Sequence, residues 1–253
     1  MQGGKLQQIT SVPISDGRLQ LLAVDNKNTI WTTVQAGLAW NGPWTSWIPF
    51  VTDGAPADGG LFNLTGARML DGSVTLWALG QDPDSSGSSI WAINRSASST
   101  ASQFSSPNAG WGSWAEFEPQ YVGAVPPPEL TDVKGILAVT GGSFSYLWAY
   151  GNLGDSPAQW YLNWTIPPNS PPIWGQWNPF PVPASEQTDF RSMAVGVLPE
   201  GGLQLFVLEV GKLGPNGFPS FTKIATAWQI LGGSSPMEWT FNNGHPWEDF
   251  SLS

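Results

Sequence analysis

Apolar residues recur with a period of two in four short runs: LQLLAV at 19–24, VTLWAL at 74–79, SYLWAY at 145–150 and LQLFVL at 203–208. That period marks strands that turn one face to a core. Each run follows a dipeptide made for a tight turn: Asp16-Gly17, Asp71-Gly72, Gly141-Gly142 or Glu200-Gly201. Glycine supplies the positive φ that hairpin turns require. Ahead of each dipeptide stands another apolar stretch: QITSVPI, LTGARML, GILAV and MAVGVL. After each run come a stretch carrying one Trp (Trp31, Trp91, Trp160, Trp228) and a closing stretch built on W-x-x-W-x-x-F. The pattern predicts four antiparallel strands per unit and no helix.

The closing motif is Trp44, Trp47, Phe50 in the first unit, Trp111, Trp114, Phe117 in the second and Trp174, Trp177, Phe180 in the third. The fourth unit keeps only Trp239, with Pro236 at the first Trp place. The last Trp recurs at 47, 114, 177 and 239, spacings of 67, 63 and 62 residues. A four-stranded unit repeated in this way cannot bury both faces alone, and radial stacking solves that. The expectation is an all-β chain forming a β-propeller, four blades of four antiparallel strands. It would be a single domain over 1–253, with blades near 4–51, 62–119, 130–183 and 189–244. Glu248-Asp249-Phe250 in the tail at 245–253 echoes Thr188-Asp189-Phe190. That echo suggests an incomplete fifth unit returning beside the first to close the ring.

Composition narrows the chemistry. Only 11% of the 253 residues are charged, and 19 acidic against 9 basic residues give a net charge of −10. With no Lys/Arg cluster, nucleic-acid binding by counterion release is excluded, and anionic membrane surfaces repel the chain. No apolar run reaches the roughly 20 residues of a membrane helix. Cysteine is absent and His245 is the sole histidine. Thiolate metal sites, disulfides and histidine clusters therefore fall away, and no cofactor is expected. A cytoplasmic product, or one secreted without an evident signal peptide, is the expected location.

Sixteen tryptophans are more than a core of this size needs. Trp77, Trp148 and the mid-unit tryptophans are read as core, because propeller blades need large wedge-filling side chains. Residues three apart in a strand face opposite sides, so each W-x-x-W pair is expected to divide its labour. The first members, Trp44, Trp111 and Trp174, are the expected ligand-binding residues; the second members are expected to be core. An indole covers the apolar face of a pyranose while Asn, Gln, Asp or Ser pair its hydroxyl rim. Neutral glycans or glycoconjugates, and a second copy of the chain, are the expected partners. Glu116 and Glu118 offer an acid/base pair, and Glu248 and Asp249 lie near His245. A charged edge strand and a surface network account for them more cheaply, so binding rather than catalysis is expected.

The stretch "DGRLQLLAVDNKNTIWTTVQ…GPWTSWIPF" resembles the repeats of bacterial propeller lectins of the Photorhabdus fucose-lectin type, and is similar to tectonin-like propellers. Where those repeats close on Leu-Gly-Gly, this chain has Ile48-Pro49-Phe50, Ala115-Glu116-Phe117 and Asn178-Pro179-Phe180. The resemblance implies a lectin that binds sugars on loops between neighbouring blades. The other readings are a protein-interaction scaffold or accessory subunit, and an enzyme with its site in a central channel or at the rim.

Overall fold

A computed structural model describes residues 5–14, 16–39, 41–56, 60–81, 88–97, 106–117, 132–141, 144–153, 156–165, 173–175, 177–180, 188–211, 222–229 and 248–250. Among these residues every regular element is a strand. They fall into two compact units, Met1–Gln120 and Tyr121–Ser253, each holding two antiparallel sheets. In the first unit, β1 (Leu6–Pro13), β2 (Leu19–Asp25), β3 (Ile30–Val34) and β4 (Ile48–Pro49) form one sheet in that order. The second sheet runs β5 (Leu61–Arg68), β6 (Val74–Gln81), β7 (Ser88–Arg95), β8 (Ala115–Glu116). The second unit holds β9 (Asp132–Gly141), β10 (Phe144–Leu153) and β11 (Ser156–Thr165), edged by β12 (Ile173–Trp174) and β13 (Asn178–Phe180). Its other sheet is β14 (Thr188–Val197), β15 (Leu203–Gly211), β16 (Thr222–Trp228) and β17 (Glu248–Phe250).

The turn dipeptides act as their chemistry requires. Gly17, Gly72 and Gly201 hold φ of 89°, 82° and 89°. Around each the same bonds recur: Gly17 N–H donates to Ile14 C=O at 3.0 Å, Gly72 to Met69 at 2.9 Å and Gly201 to Leu198 at 2.8 Å. Such a turn with a left-handed glycine is a three-residue hairpin loop with a bulge. Near the opposite end, the pairing of the first two strands slips register in all four sheets, between Leu6 and Gln8, Phe62 and Thr65, Tyr150 and Gly151, and Phe190 and Ser192. In the first unit β1 lies against β5. Gly66 permits the approach, since a Cβ there would collide with the Val12 and Leu76 side chains.

Register makes the units comparable residue by residue. Trp31, Trp91 and Trp160 lie opposite Ala23, Ala78 and Ala149. Trp228 does not join them: it lies opposite Gln204, and the place matching Trp31 is held by Ala225 opposite Val207. The spacing of tryptophans therefore misplaced the fourth unit's marker by three residues, because strand pairing, not sequence distance, sets equivalence.

The outer strand is interrupted. Trp44 and Trp111 form isolated bridges to Gln35 and Arg95 ahead of the two-residue β4 and β8, and Trp174 pairs with Trp164 ahead of β13. Glu248, Asp249 and Phe250 pair with Thr226, Ala225 and Ile224 as the outer strand of the fourth sheet. The free edge of β16 is satisfied this way, as backbone donors and acceptors demand. Trp239 and Pro236 lie outside the described residues.

Each unit has its own core. In the first it gathers Val12, Leu22, Leu64, Leu76, Ile93 and Trp114; in the second Tyr146, Trp148, Phe180, Leu205 and Val207. Trp77 and Trp148 occupy matching places opposite Ala92 and Tyr161, and both are 0% exposed. Trp77 meets Phe117 edge-on at 6.3 Å, whereas Trp148 stacks on Tyr146 at 5.2 Å.

Candidate functional site

The three tryptophans singled out from the sequence stand at one recurring place, where the interrupted outer strand first touches the end of the third strand. Each belongs to a different sheet. Trp44 is 39% exposed, near the exposed Leu19 and Leu38. Trp111 and Trp174 are half-buried. Of the second members, Trp47 is half-buried, while Trp114 and Trp177 retain only 4% and 7% exposure. Trp111 is firmly packed: Phe50 of the first sheet meets its ring edge-on at 5.6 Å, and the Arg95 guanidinium carbon lies 4.5 Å from the ring centroid.

Those contacts lead to a polar seam between the first and second sheets. Gln20 on β2 is 0% exposed. Its Nε2 donates to Thr32 Oγ1 at 2.8 Å and to the Pro107 carbonyl at 2.9 Å. Arg95, at the end of β7, is 2% exposed and donates from Nη2 to the same carbonyl at 3.0 Å. Asn108 Nδ2 donates to Pro49 C=O at 3.0 Å, pinning the turn at 106–110 across to β4. Burial pushes the Arg95 pKa down to about 10, and the nearby Asp16 charge opposes that fall. Gln20 Oε1, Asn108 Oδ1 and Trp111 Nε1 in this seam are sealed from water without a hydrogen-bond partner among the described residues.

The second unit has the corresponding junction in another form. Tyr146 holds the strand place of Gln20, and Gln229 follows β16 as Gln35 follows β3, each N–H bonding the first residue of the paired strand. Gln229 Nε2 donates directly to the Tyr146 hydroxyl at 2.8 Å. Burial raises the Tyr146 pKa, against a smaller lowering from that bond. Gln204 also repeats the Gln20 contact, donating to Thr226 Oγ1 at 3.2 Å.

The carboxylates with described side chains are dispersed. Asp25 accepts from the Lys27 and Thr29 N–H groups at 2.8 and 3.0 Å and from Trp31 Nε1 at 3.0 Å. The Trp31 bond is the main reason its pKa falls below the usual value. This arrangement fixes the β2–β3 turn. Asp16 pairs with Arg18 at 2.8 Å. Asp71 accepts from Ser73 N–H and Oγ at 2.9 and 2.6 Å. Glu116 is exposed on β8 opposite Trp91; Glu118 and His245 lie outside the described residues. Among the described residues, no group of three or more His, Asp or Glu is arranged to hold a metal ion.

Sequence reasoning missed Gln20 and Arg95. A signal was present for Gln20: it shares parity with the buried Leu22 and Val24, so it is a polar residue on the apolar face. Arg95 carries no such mark, because its burial comes from the turn at 106–110 and from Trp111.

No family model matches the sequence, and no curated protein matches it. Solved structures do match in fold. The chain is similar to an α-L-arabinanase of Penicillium chrysogenum, complexed with arabinobiose, with a TM-score of 0.57 and 10% identity over 98% of this chain and 67% of that one. It is similar to the GH93 α-L-arabinofuranosidase of Fusarium graminearum, with a TM-score of 0.55 and 13% identity over 88% of this chain. A Dyadobacter fermentans protein of unknown function aligns with a TM-score of 0.58, 12% identity, 98% of this chain and 70% of that one. The chain spans 62% of the length of the Fusarium enzyme. These likenesses and the antiparallel sheets give the fold as all-β, of the β-propeller class. They correct the resemblance to lectins of the Photorhabdus fucose-lectin type and to tectonin-like repeats: the neighbouring structures are glycosidase propellers. The lectin reading built on that resemblance is withdrawn with it, and the scaffold reading is not favoured by these neighbours. Tryptophan spacing reports blade construction, which binding and catalytic propellers share, so it did not discriminate between them.

Proposed function

We propose that this chain is a carbohydrate-active enzyme that cleaves glycosidic bonds in neutral oligosaccharides, with arabinose-containing chains as the first substrate class. The observation that carries the reading is the fold alignment over 98% of the chain with an arabinanase holding arabinobiose. The charge-poor composition supports a neutral substrate. Trp44, Trp111 and Trp174 are proposed as sugar-contacting residues, with Trp44 offering the most open indole face.

Glycosidic hydrolysis ordinarily uses two carboxyl groups, one donating a proton to the leaving oxygen and the other acting as base or nucleophile. Asp16, Asp25 and Asp71 are engaged by their own turns. Glu116, Asp53 and Glu200 are exposed and are the first described carboxylates to substitute. The test is reducing-sugar release from arabinan, arabinobiose and a panel of other neutral glycans. Hydrolysis that one carboxylate-to-amide change lowers by about 10²-fold or more supports the reading. A folded protein inert toward the whole panel overturns it.

A further inference from the structure

We propose that the seam between the first and second sheets is a binding site for one sugar residue, with Gln20, Arg95, Asn108 and Trp111 as its polar contacts and the turn at 106–110 as its cover. The inference rests on the reading of the chain as an enzyme of neutral glycans, and it locates a sugar contact that the fold likeness does not assign.

The hydrogen-bond inventory carries it. Gln20 and Arg95 both point donors at one oxygen, the Pro107 carbonyl, at 2.9 and 3.0 Å. Two donors held in a buried place need an acceptor between them. Here a turn of the chain provides it, standing where a ligand oxygen would stand. In the same seam, Gln20 Oε1, Asn108 Oδ1 and Trp111 Nε1 remain unmatched. Gln20 Oε1 and Asn108 Oδ1 are acceptors, and the indole Nε1–H is a donor. A hydroxyl group donates one hydrogen and accepts through its oxygen, so neighbouring hydroxyls of a sugar satisfy all three. A fully deprotonated anion does not, because it has no hydrogen to give the two amide oxygens. A metal cation does not, because the Arg95 guanidinium carbon lies 4.5 Å from the Trp111 ring centroid and its positive charge repels a second cation. The turn is joined to Trp111 through Gly110, whose φ of 79° is open to glycine at little cost. Asn108 ties the turn across the seam through its bond to Pro49 C=O.

The experiment is calorimetric and fluorescence titration of the full chain with L-arabinose and arabinobiose, with inorganic phosphate as the control probe. Trp111→Phe keeps the ring against Phe50 but removes the indole N–H, and Asn108→Ala removes one acceptor from a half-buried turn; melting curves confirm that each variant is folded. Each variant is expected to weaken sugar binding about tenfold, the size of one good hydrogen bond, with phosphate not bound. Unchanged sugar affinity in both folded variants overturns the proposal. So does phosphate binding in place of sugar, or a crystal structure grown with arabinobiose that shows only ordered water on the three atoms. Hydrolysis whose KM is untouched by both variants removes this site and leaves the enzyme reading standing. Sugar binding that the variants weaken, in a protein that hydrolyses nothing, removes the enzyme reading and leaves this site.

Discussion

The two units solve the same junction differently. In the second, a phenol and an amide meet: Gln229 donates, the Tyr146 oxygen accepts, and the contact closes at 2.8 Å. In the first, Gln20 turns its amide nitrogen inward and Arg95 has only donors, so the pair cannot bond through those groups. Each reaches instead for the Pro107 carbonyl. The first seam thereby acquires a guanidinium, a borrowed carbonyl and unmatched atoms. A change of side-chain type at equivalent strand places, with the register kept, converts a packed joint into a polar recess.

The strongest disturbance of this comparison removes an indole from each core. Trp77→Ala and Trp148→Ala are each expected to cost about 3–5 kcal/mol, read as a fall in denaturation midpoint. Trp148 should fall toward the upper end if stacking on Tyr146 adds to burial; equal losses would show that the stack contributes nothing beyond area. Next comes Gln20→Leu. It strips one donor from Thr32 and Pro107, with an expected loss of about 1–3 kcal/mol. Gln204→Leu, at the matching but less buried place, should cost about 0.5–1.5 kcal/mol. A reversed order would mean that the Pro107 contact is not stabilising.

Alkaline titration separates the seams further. The folded pKa of Arg95, at about 10, lies below the ordinary value of a guanidinium. Between those values the unfolded chain binds more protons than the folded one, so this residue's contribution to stability rises with pH there. The rise should vanish in Arg95→Met when the two proteins are unfolded in parallel from pH 9 to 12, a range set by that shift. The smallest effect belongs to Trp44→Ala. With 39% exposure its loss should change stability by no more than about 0.5 kcal/mol while raising KM for a glycan substrate.

Sequence pattern and structure agree most closely where the information is local. The run LQLLAV is nearly the whole of β2, LQLFVL opens β15, and Gly17, Gly72 and Gly201 adopt the left-handed φ that their dipeptides imply. Agreement fades where distant residues decide. Trp228 resembles a mid-unit marker until pairing with Gln204 shows its true place. The outer strands β4 and β8 are two residues long, because W-x-x-W touches the sheet, leaves it and returns. The seam was the least legible part. Gln20 and Pro107 are far apart in the chain, and no local motif announces that a carbonyl will be set between an amide and a guanidinium.

The outer strand of the fourth sheet also bears on how the protein reaches its fold. β16 ends at Trp228 and its partner begins only at Glu248. Until the two pair, β16 offers an open row of amides and carbonyls to any extended chain nearby. Closure of that edge waits for a pairing across the intervening segment, whose entropic cost must be met first. The interval before that pairing is the one in which a holdase chaperone would matter most to this fold.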